Sequence, residues 1–230
     1  MMPLYPSFFV DSAAAAAGYQ IEQSLRFNSA DSAYLNRTPG SAGNRKTWTW
    51  SGWIKKGKLG SYQTIFSGGS TSPNYDALRF DNNDNLHFYQ QGATTTNLTT
   101  TAVFRDPSAW YHVVLKLNST ASEAAIFVNG VEQTVTGTQP TNTDGNINNT
   151  IPHGIGAVAV SSTFDPQVNG YLAEVNFIDG SALDPEDFGE FDDNGVWRPI
   201  KYAGSYTGNS FYLKFANGDG TDSSGLSNTW

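Results

Sequence analysis

Apolar and polar residues alternate with a period of two through four separate stretches of this chain, the repeat of a strand with one buried and one polar face. In Trp48-Thr49-Trp50-Ser51-Gly52-Trp53-Ile54 the even positions carry Trp48, Trp50 and Ile54, while Thr49, Ser51 and Trp53 take the other face. Tyr111, Val113, Leu115 and Leu117 share a face opposite His112 and Lys116. Val175 and Phe177 alternate with Glu174 and Asn176, and Phe211, Leu213 and Phe215 with Tyr212 and Lys214. The turns are those of antiparallel pairs: Asn129-Gly130 between Ile126-Phe127-Val128 and Val131-Glu132-Gln133 predicts a type I′ hairpin. A second hairpin is predicted where Asp81 to Asn85 links Leu78-Arg79-Phe80 to Leu86-His87-Phe88-Tyr89.

Other segments break the alternation. Gly137 to Asn149 reads as a long polar loop whose one apolar residue is Ile147. Leu183-Asp184-Pro185-Glu186-Asp187-Phe188 resembles a helix start, with Asp184 as N-cap and Pro185 at the first position, so one short helix is predicted near 184–190. Residues 1–24 read as an arm outside the core, either a docking segment or a frayed terminus. Residues 25–230 are expected to form one all-β unit, a two-sheet antiparallel sandwich.

Charge and composition narrow the function classes. Thirteen basic against twenty-one acidic residues give a net charge of −8, a field that repels a phosphate backbone and disfavours nucleic acid as a partner. There is no cysteine, so disulfides and thiolate metal sites are excluded. The apolar residues near the N-terminus are split by Asp11 and preceded by no basic residue, and no stretch has the length of a membrane span, so neither export by a signal peptide nor membrane insertion is expected.

Trp110 to Leu115, Ile126 to Gly130 and Gly170 to Gly180 occur in an order and spacing that resemble the laminin-G-like, concanavalin A-like lectin family, over roughly Leu25 to Leu183. The resemblance implies a jelly roll. A narrower likeness, carried by Ser24 to Leu35, Trp48 to Lys55 and Asp184 to Tyr202, with Leu183 to Gly189 and Val196-Trp197-Arg198-Pro199 as its part not required by the fold, is to modules of marine bacteriophage structural proteins, tail-fibre-like ones among them. It implies a place on the virion surface, other virion proteins as partners through the N-terminal arm, and a homo-oligomer, a trimer in the case of a fibre.

Candidate chemistry is sparse. A glycosidase needs two carboxyls flanking one bond; Glu174 and Asp179 would fall on opposite faces of an uninterrupted strand, and Glu186, Asp187, Glu190, Asp192 and Asp193 read as a helix start followed by a solvated loop. His87, His112 and His153 lie in separate segments without metal-ligand spacing, and neither a nucleophile elbow nor a P-loop is present. The expectation is that the chain is not an enzyme. Calcium is the one cofactor considered, with Asp81, Asp84 and Asp144 in Asn-rich loops as its oxygen donors, although the same residues serve as turn formers. Trp53, Tyr62 and Tyr75 are the candidate ligand-binding aromatics, because a sugar platform needs an open ring beside polar groups. Together these readings point to a virion recognition protein binding a glycan or a neighbouring subunit through loops. The alternative is a purely architectural decoration subunit.

Overall fold

The computed structural model describes residues 18–71, 73–90, 96–158 and 167–230; most of the N-terminal arm thus lies outside the described residues. Two seven-stranded antiparallel sheets lie face to face. Sheet A comprises β1 (Leu25–Phe27), β13 (Gly170–Asp179), β3 (Thr47–Lys56), β8 (Tyr111–Asn118), β9 (Glu123–Val128) and β10 (Val131–Glu132) in that order, and β16 (Phe211–Leu213) pairs with the second half of β13. Sheet B runs β11 (Val135–Thr138), β7 (Asn97–Val103), β6 (Asn85–Tyr89), β5 (Tyr75–Phe80), β4 (Gln63–Gly69), β12 (His153–Ile155) and β2 (Leu35–Arg37). The predicted all-β jelly-roll sandwich is therefore observed. No helix among the described residues is long and apolar enough to cross a membrane.

The period-two pattern sets which side chains meet. Trp48 and Trp50 on β3 are fully buried; Trp48 packs on Phe88 of sheet B at 5.8 Å and on Phe177 at 5.7 Å, and Trp50 stacks on Phe66 of sheet B at 6.4 Å. Val113, Leu115, Leu117, Val175, Phe177, Phe211, Leu213 and Phe215 join that core from the faces predicted for them. Asn129 and Gly130 hold φ of 50° and 78°, the two positive angles of the type I′ turn. The long loop before β12 is anchored rather than loose: Asp76 accepts the backbone N–H of Ile147 at 3.1 Å, and Ile147 sits in the core.

The helix expected near 184–190 is reduced to one 3₁₀ turn, Pro185–Asp187. Asp184 makes no cap hydrogen bond, because its carboxylate accepts from Lys116 Nζ at 2.8 Å instead. The chain then turns directly into a two-stranded ribbon, β14 (Gly189–Phe191) with β15 (Trp197–Pro199), which ends any helical continuation. Tyr202 and Phe188 beside this ribbon pack on a second apolar cluster of Val114, Ala125, Phe127 and Ile178 on the outer face of sheet A. That face is therefore roofed by the C-terminal extension.

Candidate functional site

Beneath this roof β13 carries an irregularity that re-aims one side chain. Its register with β3 passes from Ala173 opposite Trp53 to Asn176 opposite Ser51, so Glu174 and Val175 together face Gly52. Position 52 has no room for a side chain: a Cβ there would lie 2.7 Å from the Trp50 ring and 3.3 Å from Val175. Glu174 adopts φ of 49°, a left-handed conformation that costs a non-glycine residue on the order of 1 kcal/mol. Bulges of this kind recur beside binding sites, where the strain is held by the surrounding fold.

The consequence is a carboxylate held under the roof. Glu174 Oε2 accepts from the Tyr212 hydroxyl at 2.6 Å and from the Tyr19 hydroxyl at 2.8 Å, and the two phenol oxygens are 2.9 Å apart. Tyr206 donates to Asn176 Oδ1 at 2.6 Å and stacks on Tyr212 at 6.2 Å. Burial raises the Glu174 carboxyl above its usual range, against the opposing pull of the two phenols. Burial also raises Tyr212 and Tyr206, and lifts Tyr19 to about 12. Glu174, Tyr19, Tyr206, Tyr212, Lys201 and Lys214 line a cavity of about 640 Å³. Across the chain segment bearing Glu22 and Gln23, a second hollow of about 330 Å³ is lined by Trp53, Trp110, Ile21, Ala173 and Pro199. A hydroxyl-rich cleft thus adjoins an indole-lined one, which suits a ligand with many hydroxyls and apolar ring faces.

The wall behind Trp53 is rigid. Trp53 stacks on His112 at 5.0 Å, and His112 in turn stacks on Trp197 at 5.9 Å. Trp197 Nε1 donates to His112 Nδ1 at 3.0 Å, which leaves His112 Nε2 to donate to Ser51 Oγ at 2.9 Å. Burial lowers His112 to about 3 and His153 to about 4, so both are neutral imidazoles with fixed partners.

The pH dependence of Glu174 is testable without a ligand. A carboxyl raised in the folded state lets the native protein bind its proton more tightly than the unfolded chain does. Its cost is absent below the unfolded pKa and develops as pH rises towards the folded value. Glu174→Gln, which keeps an acceptor for the phenols, should therefore gain stability relative to the parent between pH 4 and pH 7. Urea midpoints at the two pH values check this, and an unchanging difference would refute it.

The sequence-predicted site residues are divided by the fold. Trp53 belongs to the roofed cleft; Tyr62 and Tyr75 lie on the far side of the sandwich, where both contact the Arg79 and Tyr89 cluster of sheet B. The three carboxylates considered as calcium donors each have partners within the protein. Asp81 accepts the backbone N–H groups of Asn83 and Asn85 in its own turn, and Asp84 pairs with Lys56 at 2.7 Å and Arg105 at 3.3 Å. Asp144 stands apart with Arg45 at 3.5 Å. Among the described residues no group of three or more His, Asp or Glu side chains is arranged to hold a metal ion. The strand carrying Glu174 is not uninterrupted, so counting residues does not relate it to Asp179; their partners nonetheless differ, Asp179 bonding to Asn44, Asn148 and Asn209. Tyr19, Tyr206, Tyr212 and Glu174 were missed as a site. The available signal was polar Glu174 and Asn176 on the non-core face of an otherwise apolar strand.

Comparison with known proteins agrees with this architecture. Domain 4 of AbnA, an extracellular arabinanase of Geobacillus stearothermophilus solved in complex with arabinotriose, superposes with a TM-score of 0.56 at 18% identity, covering 74% of this chain and 76% of that one. A candidate carbohydrate-binding protein of Bacteroides ovatus gives 0.59 at 17% identity, covering 85% of this chain and 54% of that one. The NanB sialidase of Streptococcus pneumoniae gives 0.51 at 13% identity, covering 69% of this chain but only 29% of the sialidase. No curated protein matches by sequence. At these identities the solved structures speak for the fold. The Laminin_G_3 family model, described as the concanavalin A-like lectin/glucanases superfamily, matches residues 28–187, from just after β1 through the 3₁₀ turn, and includes neither the ribbon nor β16 beyond it. This chain belongs to the concanavalin A-like lectin/glucanases superfamily.

Proposed function

We propose that the domain is a non-enzymatic glycan-binding module of a virus particle, and that the glycan lies in the roofed cleft of sheet A. The observation that carries the glycan reading is the cavity itself: Glu174, Tyr206, Tyr212 and Lys201 offer hydroxyl partners, and Trp53 and Trp110 offer ring faces next to them. The likeness to solved carbohydrate-binding domains supports the same reading. The virion placement rests on the resemblance of Ser24 to Leu35, Trp48 to Lys55 and Asp184 to Tyr202 to phage structural modules. A trimeric assembly and attachment through residues 1–24 follow from that resemblance.

Binding rather than hydrolysis is favoured by the state of the carboxylates. Glu174 Oε2 already accepts two phenol hydroxyls, and Glu22, the other acid lining the cavity, sits on an exposed segment. A hydrolase would need both acids poised on either side of one glycosidic bond.

A glycan array, probed with and without calcium, tests the proposal. The strongest ligand should lose at least tenfold in affinity with Trp53→Ala or Tyr206→Ala and should be released intact. If nothing on the array binds, the architectural reading takes its place. If reducing ends accumulate and vanish with Glu174→Gln, the domain is a hydrolase. Antibody labelling of purified particles in the electron microscope tests the placement; unlabelled particles would refute it.

A further inference from the structure

The outer face of sheet B, on the other side of the molecule from the roofed cleft, holds a cation that has no carboxylate partner among the described residues. Arg79 on β5 lies between two rings, its guanidinium carbon 4.5 Å from the centroid of Tyr62 and 4.5 Å from that of Tyr89. Its Nε donates to His87 Nδ1 at 3.3 Å and its Nη1 to the Tyr89 hydroxyl at 3.3 Å. Arginine has no acceptor, so His87 Nδ1 must be the bare nitrogen. Its Nε2 then carries the hydrogen and donates to Asn97 Oδ1 at 2.7 Å. The imidazole beside Arg79 is therefore neutral.

Every group fixing the guanidinium is thus uncharged. The ion pairs among the described residues involve Arg45, Lys46, Lys56, Arg105, Lys116 and Arg198, and none involves Arg79. Asp81, the carboxylate whose field reaches His87, is occupied by the backbone of its own turn. On a chain of net charge −8, a cation clamped by aromatic rings and left with unused donors is an anion receptor in form. Tyr62 is 43% exposed, and Tyr75 meets Tyr89 edge-on at 5.3 Å, so aromatic surface continues on both sides of the cation.

We propose that this face binds an acidic saccharide, its carboxylate held by Arg79 and its ring laid on Tyr62. Arg79 fixes the anion and Tyr62 the sugar, while Asn97 and neighbouring threonines of β7 and β11 supply neutral hydrogen bonds at the edge. The site is independent of the cleft over Glu174, because no residue is shared.

Titration calorimetry of the full chain with glucuronic acid, N-acetylneuraminic acid, glucose and sodium sulfate tests this. One or both sugar acids should bind while glucose does not, and the affinity should fall at least tenfold in Arg79→Gln and in Tyr62→Ala. Arg79→Lys keeps the charge but loses the paired donors and the ring clamp, and should fall between parent and Arg79→Gln. Arg79→Gln should keep the parent's affinity for the ligand of the Glu174 cleft, which separates this site from the cleft. Glucose binding as well as glucuronic acid, equal binding by Arg79→Gln with its unfolding midpoint intact, or no binding of either sugar acid would overturn the proposal. Sulfate matching the sugar acids, with no effect of Tyr62→Ala, would reduce it to an anion contact and overturn the saccharide claim.

Discussion

Asp84→Asn is expected to lower the unfolding free energy by about 3–5 kcal/mol, the cost of leaving a buried charge without its partner. The charge is Lys56, whose side chain is 1% exposed and whose Nζ lies 2.7 Å from Asp84 Oδ1 and 4.2 Å from the centre of the Phe80 ring. Asparagine tolerates the left-handed φ of 66° at position 84 and can still accept from Gly60, so the substitution isolates the charge. Burial pulls the Lys56 ammonium down, with Asp84 opposing it; the Asp84 carboxyl, which burial alone would raise, is held below its usual range by Lys56, Gly60 and Arg105. Lys56→Met together with Asp84→Asn should recover most of the loss, since methionine fills a similar volume and leaves no buried charge in need of a partner. The double-mutant cycle is read from urea midpoints at constant slope. A single-variant loss below about 1 kcal/mol would show that water reaches Lys56. The acid limb adds a second reading: a depressed carboxyl contributes its stability above the unfolded pKa and loses it as pH falls through the folded one. The parent should therefore lose stability in acid more steeply than Asp84→Asn.

The Lys56 pair also marks how far a sequence of this kind can be read. Trp48, Trp50, Ile54 and Lys56 share one parity on β3, so the pattern itself sends Lys56 inward. Its partner, 28 residues on at the tip of the β5–β6 hairpin, follows from no local rule. Asp84 read alone as a turn former or a calcium donor because its neighbours in sequence are Asn and Asp, and the cation that neutralises it comes from the other sheet. The core faces, the Asn129-Gly130 turn and the burial of Trp48 and Trp50 were legible, since each depends on periodicity or on one dipeptide. The cleft was not. It requires the bulge at Glu174, whose opposite residue, Gly52, lies on a strand more than a hundred residues earlier. Parity reasoning assumes an unbroken strand and fails where one residue is added. Likewise Trp53 was placed on the polar face, but that face is not solvated: it is covered by residues the alternation pattern does not describe.

Those covering residues supply the second large effect. Trp197→Ala should cost about 3–5 kcal/mol of local stability, the range for removing a buried Trp side chain, and should open the cleft at the same time. Trp197 is 9% exposed, stacks on His112, meets Phe191 edge-on at 4.9 Å, and is gripped so closely that a Cβ on Gly130 or Gly189 would come within 2.3 and 2.4 Å of its ring. It holds the β14–β15 ribbon, and through Pro199, Lys201 and Tyr202 the far wall of both hollows, onto sheet A. Because the ribbon packs on the outer face and not in the main core, its release should be local. Amide exchange should accelerate in residues 189–207 while Leu115, Val175 and Phe177 stay protected. Trp197→Phe preserves the ring contacts but removes the donor to His112 Nδ1, leaving a buried acceptor unpaired, and should cost about 1–3 kcal/mol. If Trp197→Ala unfolds the whole domain in one step, the roof is an integral part of the core. If it leaves both exchange and glycan affinity unchanged, the roof does not shape the cleft, and the assignment of a ligand to that side of the sandwich falls with it.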